Sequence, residues 1–109
     1  MLRTLLSAAA AVMMTLTMAS AQESEIPDMI QGDADAKVEI IEYASYTCPH
    51  CASFHAGPYK DLKKDYIETG KVKFIYREVY FDRFGLWASM IARCAGPDRF
   101  FGMTDLLYK

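Results

Sequence analysis

Residues 43–55 read YASYTCPHCASFH, and the rest of the chain takes its meaning from the two cysteines, Cys48 and Cys51. Such a pair can be a structural disulfide, half of a metal site or a redox couple. The flanking sequence helps to choose. Before it, Lys37 to Ala44 (KVEIIEYA) is rich in β-branched and aromatic residues and reads as a strand. Its near-continuous apolar centre suits burial on both faces. After Cys48 the period changes. Cys51, Phe54, Pro58, Leu62 and Tyr66 recur every three or four residues, with Lys60, Asp61, Lys63, Lys64 and Asp65 on the other side. That pattern predicts an amphipathic helix. Cys48 falls at its N-cap and Pro49 at its first position, where a missing N–H costs nothing. Pro58, inside the pattern, predicts a kink.

Working outward, Thr69-Gly70 stops the helix and Lys71 to Tyr80 (KVKFIYREVY) reads as a second strand. Val72, Phe74 and Tyr76 alternate there with Lys73, Ile75 and Arg77. Strand, helix and strand in this order form a βαβ unit with parallel strands and a right-handed crossover. The segment 22–36, with Pro27, Gly32, Asp33 and Asp35, reads as an irregular leader. Beyond Tyr80, Leu86, Trp87, Met90, Ile91 and Cys94 mark a second helix, which Gly96-Pro97 ends. Asp98 then caps a third helix with Phe101, Leu106 and Leu107 on its apolar side. Two strands make a poor sheet with two bare edges. The later helices have little sheet to cover, which predicts a truncated α/β domain with Trp87, Phe100 and Phe101 partly exposed.

The N-terminus reads as export machinery. Arg3 is followed by an apolar run from Leu5 to Met18 and by Ala19-Ser20-Ala21, the pattern of a signal peptide over 1–21. Export places Gln22 onward in an oxidising, periplasmic compartment where disulfides persist. The net charge of −2 at pH 7 comes without a basic run or stripe, so nothing points to nucleic acid.

A Cys-x-x-Cys at a βα turn of an exported chain is a redox signal. Cys48 at a helix N-cap faces unpaired backbone N–H groups and the positive end of the helix dipole, both of which stabilise a thiolate. Such sites lower a thiol pKa from about 8.5 to about 3.5–7.5. His50, between the sulfurs, can add a hydrogen bond or positive charge. A stabilised thiolate is a good leaving group, so the disulfide is a strong oxidant. Cys51, one turn in and on the apolar face, is the hidden sulfur whose pKa burial raises. Cys48 is therefore expected as the nucleophile and Cys51 as the resolving thiol, with no cofactor required.

The stretch VEIIEYASYTCPHCASFH, residues 38–55, resembles the active-site region of the DsbA-like thiol:disulfide oxidoreductases. The likeness runs from Gly32 to about Tyr108 and covers the first half of a family member. It implies a thioredoxin-like βαβ unit over 37–80 carrying the Cys-Pro-His-Cys site, followed over 81–109 by the start of an inserted helical domain. Glu42 matches the family's acidic residue beneath the resolving cysteine, which implies a part in its proton transfer. Implied partners are reduced or unfolded exported proteins and a membrane reoxidase. The family's remaining strands, last helix and cis-proline loop would lie beyond Lys109.

Other readings stay open. The same fold serves reductases and isomerases. Cys48, Cys51 and His55 have a spacing that could serve a metal-binding module, with Cys94 as a fourth ligand, although His55 reads more simply as a helix-face or partly buried residue. A purely structural Cys48–Cys51 bridge would close a small strained loop. Cys94, on the apolar stripe of its helix, is either a buried free thiol or the partner of a cysteine further on.

Overall fold

The computed structural model describes residues 26–109; the expected signal peptide, 1–21, lies outside the described residues. Strands β1 (Met29–Gly32), β2 (Val38–Ala44) and β3 (Val72–Glu78) form one sheet in the order β1-β3-β2. β2 runs parallel to β3, with Val38 opposite Val72 and Ala44 opposite Glu78. The expected βαβ unit is therefore present. β1 lies antiparallel on the other side of β3, pairing Met29 with Tyr76 and Gly32 with Lys73.

That strand corrects the reading of 22–36 as wholly irregular. Four residues with only Met29 buried carry too little alternation to register as a strand. The free side of β3 supplies the pairing that the local sequence could not announce. Arg77 of β3 clamps the segment from outside, its guanidinium donating to both carboxylate oxygens of Asp28 at 2.8 Å each. At the end of β1 the chain passes so close to its neighbours that a Cβ on Gly32 would lie 2.5 Å from the Val72 carbonyl oxygen. The φ of +90° at Gly32 is itself in the left-handed region that favours glycine.

After β2 the helix α1 (Pro49–Ala56) starts with Cys48 as N-cap and Pro49 at its first turn, as expected. The kink at Pro58 is a full break. Pro58 lacks the N–H that would continue the ladder, so the chain leaves helical geometry at Gly57 (φ −130°, ψ −89°) and restarts as α2 (Pro58–Leu62) with Pro58 in the first turn. A π-helical turn over Lys63–Ile67 follows, closed by the Glu68 N–H donating to the Lys63 carbonyl at 2.8 Å. The buried face also differs from the expected stripe. His55, Tyr59 and Ile67 are buried, while Pro58 and Tyr66 face out.

Helices α3 (Arg83–Cys94) and α4 (Pro97–Leu107) complete the described chain. Here several expectations are overturned. α3 turns its small residues inward: Gly85, Ser89 and Ala92 are buried, while Leu86, Trp87, Met90, Ile91 and Cys94 are exposed. A Cβ on Gly85 would stand 2.9 Å from Ser45 Oγ and 3.2 Å from Thr47 Oγ1. The helix lies against the loop that leads into Cys48, and only a small face fits there. Cys94 is thus not a buried thiol. Phe100, expected to be partly exposed, is wholly buried against Tyr76, and Phe101 is half-buried near Phe74. The late helices therefore have sheet to cover, and Ala92 and Phe100 belong to the same core as Phe74 and Tyr76. Asp98 is not the cap of α4; Gly96 is, with a φ of +83°. Asp82 instead caps α3 by accepting from the Gly85 N–H at 2.9 Å.

One ion pair ties the layers together. Arg93 of α3 donates through Nε and Nη2 to the two oxygens of Glu78 at 2.7 and 2.6 Å, and through Nη1 to the Pro27 carbonyl. The carboxylate of Glu78 is almost fully covered. Helix end, strand end and leader thus meet on one guanidinium.

Two glycine substitutions should behave oppositely. Gly32→Ala combines a left-handed φ with a clash against backbone, and should lower stability by more than about 2 kcal/mol. Gly102→Ala, inside α4 with open space around its Cβ position, should raise stability by about 0.5–1 kcal/mol. Urea midpoints of both variants check this.

Candidate active site

Parallel pairing ends β2 at Ala44, and the chain turns over Ser45, Tyr46 and Thr47 into the N-terminus of α1. The turn is tightly held. The Cys48 N–H donates to the Ser45 carbonyl at 3.1 Å, and the Thr47 N–H donates to Ser45 Oγ at 3.3 Å. The Tyr108 hydroxyl donates to the same Ser45 carbonyl at 3.2 Å. Tyr46 stacks on Tyr76 with its hydroxyl 2.8 Å from Thr104 Oγ1, and burial pushes its phenol up to about 12. Cys48 is thereby fixed to a loop with little freedom, in extended geometry (φ −90°, ψ 116°) at the helix N-cap.

Cys48, Cys51 and Cys94 are all free thiols. The two site cysteines are perturbed in opposite directions. Cys48 is held below the ordinary thiol range, first by a hydrogen bond from the Cys51 side chain and then by the Cys51 and His50 backbone N–H groups. Cys51 is pushed up, first by burial and then by its neighbour Cys48, with the Glu42 carboxylate adding to the effect. An accessible sulfur that prefers to be thiolate stands beside a hidden one that prefers its proton. His50 lies exposed on the first turn of α1, and its backbone N–H is the part that reaches Cys48.

Glu42 faces inward from β2, opposite Tyr76 of β3, with its side chain 13% exposed. Both carboxylate oxygens lie within hydrogen-bond distance of His55 Nε2, at 3.1 and 2.9 Å. His55 is 3% exposed at the side chain. Its ring stacks on Tyr108 at 4.4 Å and packs against Tyr59 at 4.4 Å, with Tyr76 edge-on at 6.0 Å. Burial drives the phenols of Tyr59, Tyr76 and Tyr108 well above their usual range, so they stay neutral around the pair. His55 is therefore committed to Glu42, not to the two sulfurs. No group of three or more His, Cys, Asp or Glu among the described residues is placed to hold a metal ion.

The structure brings Cys48, Cys51 and Glu42 into one region and adds His55, which the sequence reading left as a helix-face or partly buried residue. A signal was available: His55 lies four residues after Cys51, and hence on the same helix face, one turn nearer the acidic residue of the preceding strand.

This arrangement has counterparts. The thioredoxin family Thioredoxin_4 matches residues 24–109. A Rickettsia bellii protein whose assigned name is that of a protein-disulfide oxidoreductase is 40% identical over 83 residues, 75% of this chain and 32% of that protein. Disulfide bond formation protein D of Bacillus subtilis is 31% identical over 94 residues, 83% of this chain and 42% of that protein. The crystal structure of α-DsbA1 from Wolbachia pipientis superposes with a TM-score of 0.73 at 36% identity, covering 77% of this chain and 43% of that one. The chain spans about a third to two fifths of the length of these relatives.

Because the Cys51 thiol is the largest single stabiliser of the Cys48 thiolate, Cys51→Ala should raise the Cys48 pKa. The backbone N–H groups remain, so it should stay below about 8.5. Alkylation by iodoacetamide reads this directly, since only the thiolate reacts. The half-reactivity pH should move up, and the rate at neutral pH should fall.

Proposed function

The chain belongs to the thioredoxin family, among its DsbA-like disulfide oxidoreductases, and from that footing we propose that it oxidises thiols of exported proteins through Cys48 and Cys51. The observation that carries this reading is the opposite perturbation of the two sulfurs across one helical turn.

The chemistry runs in two displacements. A substrate thiolate attacks Cys48 Sγ, the Cys48–Cys51 bond breaks, and Cys51 departs with the electron pair and takes up a proton. A second substrate thiolate then attacks the substrate sulfur of the mixed disulfide, and Cys48 leaves as a thiolate. The substrate gains a disulfide and the cysteine pair is left reduced. A leaving group of lowered pKa favours the second step. Glu42, buried near Cys51, is assigned the proton exchange with that thiol. His50 is assigned the tuning of Cys48, through its backbone N–H and through ring charge when protonated. A membrane reoxidase is the proposed source of the oxidised state.

The surroundings support an unfolded-protein substrate. α3 begins beside the Thr47 turn, capped by Asp82. Together with Tyr80 and Phe81, which precede it, the helix presents Phe84, Trp87, Met90 and Ile91 outward, an apolar surface suited to extended chains. The proposed site of action is the periplasm, after removal of residues 1–21. Residues 37–80 are proposed as the thioredoxin-like part and 81–109 as the beginning of a helical domain. The helical segment shares the core of the sheet in this chain.

Two measurements test the reading. Redox titration against glutathione should place the pair well above the glutathione range, toward about −120 mV; a value near −270 mV would make it a reductant, and one near −180 mV an isomerase. On non-reducing gels, Cys51→Ala should accumulate mixed disulfides with substrate proteins and Cys48→Ala should accumulate few. Equal accumulation would reverse the assigned roles.

A further inference from the structure

Glu42 is largely covered, its side chain 13% exposed, and a carboxylate in such a place needs a donor that stays put. The structure supplies one. His55 Nε2 meets both carboxylate oxygens, at 3.1 and 2.9 Å. Among the described residues these are the only hydrogen bonds given to the Glu42 side chain. The imidazole is itself immobilised, sandwiched between Tyr108 and Tyr59 at 4.4 Å each. Its other nitrogen, Nδ1, is buried with no hydrogen-bond partner among the described residues. A bare Nδ1 lone pair costs less there than an unpartnered N–H, which selects the form with the proton on Nε2, the one that donates to Glu42.

We propose that His55 is the positioning residue of the resolving cysteine. It holds the Glu42 carboxylate aimed, and so sets how readily Cys51 exchanges its proton, while leaving Cys48 untouched. This rests on the reading of Glu42 as the proton partner of Cys51. The selectivity follows from placement. Cys51 and His55 are one turn apart on the same face of α1, and the Glu42 carboxylate is among the charges that act on Cys51. The groups that act on Cys48 are the Cys51 thiol and two backbone N–H groups, none of which His55 touches.

The titratable groups around the pair come from every adjoining element. α1 contributes Cys51, α2 Tyr59 and Lys60, the π-helical turn Lys63, β3 Tyr76, and the α4 end Asp105, Tyr108 and Lys109. The three tyrosines remain neutral because burial raises them. Lys60, Lys63, Asp105 and Lys109 line a cavity of about 440 Å³, of which the His55 edge forms one wall. Removing the imidazole donor would leave the Glu42 carboxylate covered with no hydrogen-bond partner among the described residues, free to turn away from Cys51. Cys51 would then lose its acceptor.

The test compares His55→Leu, which loses the donor, with His55→Gln, whose amide N–H can still reach the carboxylate. Two rates are followed against pH: closure of a preformed Cys48 mixed disulfide with glutathione, which requires Cys51, and iodoacetamide alkylation of Cys48. In His55→Leu, closure should slow about tenfold or more at pH 7. His55→Gln should recover to within a few-fold of the parent. Cys48 alkylation should keep the parent pH profile in both. Unchanged closure in His55→Leu would overturn the proposal. So would equal damage in both variants, which would mark a packing role, or a parallel shift of the Cys48 profile. Glu42→Gln separates the two claims: if it leaves closure unchanged, the reading of Glu42 falls; if it slows closure while His55→Leu does not, only the inference about His55 falls. Should the variants not fold, nitrogen NMR of the unaltered protein decides. A proton on Nε2 with bare Nδ1 supports the proposal, and the opposite tautomer overturns it.

Discussion

The parallel pairing of β2 with β3 is the constraint from which the site follows. Because Ala44 pairs with Glu78, β2 leaves the sheet at its carboxyl end, where a right-handed crossover must begin its helix. The N-terminus of α1 is therefore delivered to the sheet's carboxyl edge with its free N–H groups outward. The register also sets Glu42 opposite Tyr76, on the face that α1 covers. One strand thus places the acid beneath the helix and the helix end beneath the nucleophile. Pro49 makes the arrangement rigid at no cost in hydrogen bonds. Ser45, wholly buried, anchors the turn by both its carbonyl and its hydroxyl.

Two kinds of electrostatics then act on neighbouring sulfurs. At Cys48 the helix end is open to solvent, and the neighbouring Cys51 thiol and backbone N–H groups favour the anion. At Cys51 desolvation dominates and favours the neutral thiol. Neither effect requires an unusual residue; the difference comes from three positions along one helix, which separate a cap from a buried face. The buried Glu42–His55 pair belongs to the second environment. Removing one partner of such a contact leaves the other covered and unpaired, at a typical cost of about 1–3 kcal/mol.

What the sequence made legible is what depends on local rules. Cys48-Pro49-His50-Cys51 carries its own cap and first-turn proline, and the two parallel strands announce themselves by composition and by the turn at Thr69-Gly70. Glu42 turns its side chain inward from β2, while its neighbour Tyr43 faces out. The failures all lie where a distant partner decided the outcome. β1 exists because β3 had an unpaired side. Phe100 is buried because Tyr76 offers it a surface. His55 is a lone histidine by sequence and becomes half of a buried pair only when α1 lies over β2. The role assigned to Glu42 is what the family resemblance implies, whereas that of His50 rests on its place between the two sulfurs.

α3 is the clearest case in which composition misled. A stripe of Leu86, Trp87, Met90 and Ile91 looks like a core face, because large apolar side chains usually are. The competing constraint is distance. The Ser45–Thr47 turn cannot recede, since its hydrogen bonds hold Cys48, and the helix must come within a Cβ's reach of it at Gly85. Only the small face of Gly85, Ser89 and Ala92 satisfies that, so the large residues are turned out by geometry, against their hydrophobicity. Phe84 and Trp87 then pack edge to face at 5.6 Å with the Arg83 guanidinium over both rings, which lessens their contact with water without burying them. The close approach that fixes the nucleophile's loop is therefore also what leaves an apolar surface beside it. The proposed redox site and the exposed apolar surface arise here from a single packing decision.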